Sequence, residues 1–253
     1  MDWHRINAFF QRESIFCFTT DLDWAPEWAI QELLDIFYGH DVPITAFITH
    51  SSEAIKKAST IWNDRLDIGL HPNFLPGSSH GTTLQEQIDN CQKFWPSARS
   101  YRAHCFFDVA QVSEEFVKRG FLYDSNLCLF LQPFCVPLQH WSGLIRFPVF
   151  WEDDVHYKKG YEFKISLIKR QLFSPGLKVF NFHPFNLALN VPNLEYYEKS
   201  KFLYHTNELE AVEKYAYKGE GEKTFLLTML ELLQSSNHTI LNLRQLFELL
   251  KDM

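Results

Sequence analysis

The sequence predicts an α/β protein on a mainly parallel sheet, either a barrel or a doubly wound sheet. Three observations carry this expectation. Short apolar runs alternate with segments of helical periodicity along the 253 residues, giving seven or eight strand–helix units. No Pro/Gly/Ser linker, composition break or internal repeat divides the chain, so residues 1–253 are expected to form one domain. Several apolar runs stop at an acid, an arginine or a histidine, and in a barrel such strand ends meet on one face.

Residues 14–20 (SIFCFTT) read as the first strand, followed at once by Asp21 and Asp23. A helix over 27–38 follows, with Ile30, Leu33, Leu34 and Phe37 on one face and Gly39 as its stop. Residues 43–49 (PITAFIT) form the second strand, and Ser51 or Ser52 caps the next helix. A third strand over 66–71 ends on His71. The loop PNFLPGSSHG then leads to a helix over 83–95 that aligns Leu84, Ile88 and Cys91.

A fourth strand, 101–104, carries Arg102 and His104, with a helix over 112–119 behind it. Phe121 and Tyr123 open a fifth. Residues 144–150 and 178–183 supply two more strands around a helix over 163–172, and the later strand ends on His183. A helix over 224–234, a short strand over 239–241 and a helix over 243–250 complete the chain. The polar, tyrosine-rich stretch 190–222 is expected to pack outside the main core.

Composition narrows the function. The 24 Phe, 10 Tyr and 7 Trp suit a dense interior or a sugar-stacking cleft. A net charge of −7 with no basic stripe excludes nucleic acid as the main partner. No run approaches the roughly 18 apolar residues of a membrane span, and the N-terminus lacks a secretory core and cleavage site. Five cysteines without a CxxC pair fit a reduced, cytoplasmic setting.

Asp21 and Asp23, one residue apart, repel each other unless a cation or proton intervenes. Such a pair suits a divalent-metal site in which one acid binds the ion and the other works as a base; a plain strand end with a helix cap is the alternative. His4, His40, His50, His140, His156, His205 and His238 read as surface or satisfied core groups. No GxSxG elbow surrounds Ser125, and neither a P-loop nor a GxGxxG turn occurs.

FTTDLDW, DIGLHPN, the arginine of YRAH, the acidic WEDD and FNFHP follow one another in an order that resembles the polysaccharide deacetylase motifs (NodB homology, carbohydrate esterase family 4). HPNFLPGSSHG, YDSN and WEDDVH are similar to the narrower WbmS-type group of O-antigen biosynthesis, and the resemblance covers residues 14–190. It implies a distorted (β/α) barrel of seven or eight parallel strands with one divalent metal, most often Zn2+, with Co2+, Ni2+ or Mn2+ as alternatives. It also implies hydrolysis of an N- or O-acetyl group from a sugar or glycan intermediate of surface-polysaccharide or lipopolysaccharide biosynthesis.

By motif, Asp21 is then the base, Asp23 and His71 bind metal, Arg102 holds the base, and His183 is the general acid. Glu152, Asp153 or Asp154 orients His183. The family's second metal histidine, four residues after the first, is replaced here by Leu75. His80 is expected to complete the site, with His104 as the alternative; failing both, two protein ligands would bind metal weakly.

Two other functions fit the same motifs. One is cleavage of another C–N bond, as in allantoinase-like relatives; the other is a degenerate barrel that binds a glycan or a protein. Trp24, Phe74, Phe106, Trp151 and Phe185 either stack on a pyranose or pack the interior. Asn73, Asn186 and Asn190 either bind sugar hydroxyls or satisfy loop backbone.

Overall fold

Strands covered on both faces read as unbroken apolar runs, and the four longest strands are covered in this way. Every residue of β2 (Ile44–Ile48), β3 (Leu66–Leu70) and β9 (Gly176–Phe182) is buried, as is all of β1 (Ser14–Asp21) except Ser14. The computed structural model describes residues 1–206 and 208–253. Within them the remaining strands are β4 (Ser100–Tyr101), β5 (Tyr123–Asp124), β6 (Leu138–Gln139), β7 (Ile145–Arg146), β8 (Val149–Glu152) and β10 (Thr239–Leu241).

The order across the sheet is β6-β7-β5-β4-β3-β2-β1-β9-β8, with β10 added on β1. Only the β6–β7 pair is antiparallel among the described strands. β10 pairs with residues 15–17 of β1 and β2 with residues 18–21, so the two share one edge of that strand end to end.

The single strand expected over 144–150 is two. Pro148 has no N–H to give a ladder, and the chain turns there: β7 pairs with β5, whereas β8 pairs with β9 at the other end of the sheet. The Val149 amide also donates to the Leu127 carbonyl, and the Leu129 amide to the Val149 carbonyl. These contacts bring the two ends of the curled sheet together as the distorted barrel the sequence leads one to expect. A β-bulge interrupts β8, where Val149 faces Val179 but Trp151 faces Phe180.

The helices follow their apolar periodicity. Helix Glu27–Gly39 buries Ile30, Leu33, Leu34 and Phe37, and Ser52 caps helix Glu53–Ile61 through the Ile55 amide. An unanticipated helix, Trp3–Phe10, is capped by Asp2 and buries Ile6 and Phe10 beside the residues of helix Leu243–Lys251.

The expectation that 190–222 lies outside the core needs correction. Helices Leu194–Ser200 and Leu209–Tyr215 form there, and Leu203 and Val212 join the main core. Tyr204 stacks on Phe185 at 3.8 Å. Each aliphatic side chain so buried is worth about 1.5–3 kcal/mol, which tyrosine-rich polarity concealed. No described helix is long and apolar enough to cross a membrane.

Candidate active site

The C-terminal ends of β1, β3, β4, β8 and β9 converge on the residues singled out by the motifs. β1 ends at Asp21, and the chain then turns sharply, with φ of 44° at Asp23 and 55° at Trp24. Non-glycine residues in this left-handed region cost about 1–3 kcal/mol each and persist where the surroundings hold them. Here the Leu22 amide donates to the Phe47 carbonyl at 3.0 Å, and the Trp24 amide to Thr49 Oγ1 at 3.0 Å. The turn aims Asp23 back over the strand ends.

Asp23 is the meeting point of three imidazoles. Its Oδ1 lies 3.1 Å from His71 Nε2 and 3.0 Å from His104 Nδ1, and its Oδ2 is 3.5 Å from His183 Nε2. Burial by itself would raise the Asp23 pKa. The hydrogen bonds from His104 and His71, with the charges of His71 and His183, outweigh it and hold the carboxyl well below the usual range. Burial likewise opposes protonation of His104, yet its bond to Asp23 wins and its pKa is raised.

Asp21, whose Oδ1 lies 3.7 Å from His71 Nδ1, is held by partners of its own. Arg102, fully buried, donates from Nη1 to Asp21 Oδ1 at 2.8 Å, and Asn181 Nδ2 donates to Asp21 Oδ2 at 3.0 Å. Ser125 receives the rest of the guanidinium: Nε reaches its carbonyl at 2.9 Å and Nη2 its Oγ at 2.7 Å. Phe47 lies under the guanidinium, 4.5 Å from its carbon. A planar donor fork locked on several sides holds a carboxylate in one orientation.

His183 meets its carboxylate on the opposite wall. Its Nδ1 lies 2.6 Å from Asp153 Oδ1, and its backbone amide donates to Asp153 Oδ2 at 2.8 Å. Burial would lower the His183 pKa, but the Asp153 charge and hydrogen bond raise it well above its ordinary value. Of the three acids considered for this role, Asp153 makes the contact. Asp154 does not: it pairs with Lys158 one turn along helix Asp153–Lys158. Glu152 points inward and is buried, with its Oε2 unpartnered among the described residues. Burial first, and then the neighbouring Asp154, raise its pKa well above the usual carboxylate range.

The largest departure from expectation is His80. The residue is 3 % exposed, and neither ring nitrogen is free: Nδ1 accepts from the Asn73 amide at 3.0 Å and Nε2 donates to the Thr49 carbonyl at 2.7 Å. With its carbonyl bound by Asn90 Nδ2, His80 fastens the 72–81 loop instead of completing a ligand set. His104 is the histidine brought to Asp23. Left-handed backbone at Cys105 and Phe106 accompanies it, and the His104 amide donates a hydrogen bond to the Pro72 carbonyl.

Two clusters of possible ligand atoms result, each within 4.8 Å: Asp23, His71 and His104, and Asp21, Glu152 and His183. The first has the chemistry of a catalytic zinc site, two imidazole nitrogens and a carboxylate. Its contacts of 3.0 and 3.1 Å approach the roughly 3.3 Å edge of a tetrahedron with ~2.0–2.1 Å bonds. The second already has Arg102 neutralising Asp21 and Asp153 engaging His183, so it has less need of an ion.

Of the aromatic candidates, Trp151 and Phe185 are fully buried, whereas Trp24 is 37 % exposed, with its ring 5.5 Å from that of His104. Asn186 donates to Asp153 and Asn190 to the carbonyls of Tyr217 and Gly219; Asn73 Oδ1 accepts from the Leu75 amide. These amides serve the protein's own framework.

Comparison with known proteins bears on the family and the fold. The crystal structure of WbmS from Bordetella bronchiseptica, named as a polysaccharide deacetylase involved in O-antigen biosynthesis, is 29% identical with a TM-score of 0.80, covering 91% of this chain and 94% of that one. A polysaccharide deacetylase structure from Mycobacterium smegmatis, 16% identical with a TM-score of 0.57, covers 96% and 91% and shares the fold. No curated protein matches the chain. The family model for WbmS-like polysaccharide deacetylases matches residues 18–201, which span Asp21, Asp23, His71, Arg102, His104, Asp153 and His183. With that match across most of its length, the chain belongs to the WbmS-like polysaccharide deacetylase family.

Proposed function

We propose that this protein removes an N- or O-linked acetyl group from a sugar or glycan intermediate of surface-polysaccharide or lipopolysaccharide biosynthesis. The reaction is a hydrolysis that depends on one divalent metal ion, zinc by preference, held by Asp23, His71 and His104. One observation carries the reading: the Asp23–His71–His104 cluster lies between a carboxylate fixed by arginine and an imidazole paired with an acid.

When bound, such an ion polarises the acetyl carbonyl and makes water more acidic. Asp21 takes a proton from the attacking water. Arg102 and Asn181 occupy one lone pair on each of its oxygens and leave others for the incoming proton. His183 gives its Nδ1 proton to the bond with Asp153 and presents Nε2 to the leaving group. As the C–N or C–O bond breaks, Nε2 donates its proton, and the products are acetate and the free amine or hydroxyl. The ionised Asp153 favours the imidazolium needed for this step. Trp24, exposed beside His104, supplies a face for a pyranose ring.

The test joins elemental analysis of protein purified without chelator to an acetate-release assay on acetylated aminosugars. About one zinc-like ion per chain and stoichiometric acetate are expected. Failure to bind zinc, cobalt or nickel would overturn the reading.

A further inference from the structure

Helix Glu222–Ser235 lies beyond the family match, yet it begins inside the site. Glu222, its first residue, is fully buried, and neither carboxyl oxygen meets a hydrogen-bond donor among the described residues. What it does meet is Asp153, at hydrogen-bonding contact. Two carboxylates in such contact have no hydrogen between them, so the pair holds together only when one carries a proton.

Asp153 is the ionised partner. It already accepts from the His183 ring at 2.6 Å, the His183 amide at 2.8 Å, the Asp154 amide at 2.7 Å and Asn186 at 3.2 Å. The proton therefore belongs to Glu222. The other titratable groups around it include Asp154, His183 and Tyr157.

The backbone is shaped to deliver this side chain. The Glu222 amide donates to the Val191 carbonyl, and the Thr224 amide to Asn190 Oδ1. A Cβ on Gly221 would lie 2.1 Å from the Asn190 carbonyl oxygen, so only glycine lets the helix start this close.

We propose that Glu222 is a positioning residue for the general acid: its protonated carboxyl donates to Asp153 and fixes that carboxylate against His183. Its neutrality matters as much as its bond. A second negative charge there would tighten the hold of the pair on the His183 proton, whereas a neutral donor fixes Asp153 and spreads its charge. The inference rests on His183 being the proton donor proposed above.

The test compares Glu222→Gln, which keeps a neutral donor, with Glu222→Leu, which keeps only the volume. In Glu222→Leu, kcat should fall about 10- to 100-fold with KM unchanged, as for partners that orient an active group. Glu222→Gln should stay within about threefold of the native enzyme.

A second readout needs no substrate. The short His183 Nδ1–H···Asp153 bond should give a downfield proton resonance, assigned by its loss in His183→Gln. It should persist in Glu222→Gln and broaden or vanish in Glu222→Leu, with thermal melts showing both variants folded. An unchanged resonance in Glu222→Leu, or the same loss in both variants, overturns the proposal. If the native protein releases no acetate while the resonance follows this pattern, the deacetylase reading fails and the role of Glu222 in holding Asp153 stands.

Discussion

The two walls of the cleft solve opposite electrostatic problems. On the wall built from β1, β3 and β4, Asp23 gathers His71 and His104 on a turn with left-handed backbone, and the cluster is partly open, with Asp23 and His104 side chains each 21 % exposed. On the wall built from β8 and β9, Asp153 is fully buried and receives four donors from ordinary backbone and side-chain geometry. One wall is strained and partly open; the other is closed and densely bonded. The first is shaped for something that arrives, and the second is complete from the protein's own atoms.

That contrast breaks first at the open wall. Asp23→Ala, His71→Ala and His104→Ala should each release the metal and lower activity on the order of 10⁴-fold, several kcal/mol of lost transition-state stabilisation. Elemental analysis beside acetate release checks this, and a His104→Ala variant that keeps its ion would place the third ligand elsewhere.

The base and the acid should fail differently from the ligands. Asp21→Asn and His183→Ala should retain the metal and lose roughly 10²- to 10⁴-fold in kcat, the range for a positioned base or acid. Metal loss in either variant would show that these two groups and the ligand cluster do not act separately.

The pH dependence sharpens the distinction. The His183 pKa is raised well above the ordinary 6.5, so its stabilising bond is fully present below pH 6.5 and lost as pH rises through the folded-state value. Asp153 is lowered from 3.8, so its contribution is present above pH 3.8 and lost as pH falls through its folded-state value. The alkaline limb of kcat should therefore lie above pH 6.5 and disappear in His183→Ala. A limb unchanged in that variant would assign the acid to another group.

Smaller effects belong to the rim. Trp24→Ala should raise KM about 2- to 12-fold, the 0.5–1.5 kcal/mol of one aromatic contact, and leave kcat alone. His80→Ala should leave metal content unchanged and cost about 1–3 kcal/mol of stability, because the buried Thr49 carbonyl and Asn73 amide lose their partners. Thermal melts and elemental analysis separate those two outcomes.

Much of the fold was legible because it rests on apolar runs that are local. β1, β2, β3 and β9 are buried ladders, and helix Glu27–Gly39 announces its inner face by spacing alone. The division of 144–150 was less legible, because strand partners are chosen by the whole sheet; Pro148 was the one local signal. His80 and His104 have the same chemistry, and only three-dimensional convergence separates them. The position of His104 two residues after Arg102 was a usable hint, since its neighbour already faced the site. Glu222 offered nothing of the kind. It lies in GEGEK, which reads as a polar turn, and its burial depends on Asn190 more than thirty positions earlier.

The bulge in β8 has a consequence for counting. In a regular strand the direction of every side chain is fixed by whether its position is odd or even. The extra residue between Val149 and Trp151 reverses that parity for everything that follows. The chain thus leaves Pro148 in one phase and reaches Glu152, the last residue of the strand, in the other. The face on which Glu152 emerges follows from this single irregularity, so a length change of one residue here would alter the chemistry of the wall without replacing any of its side chains.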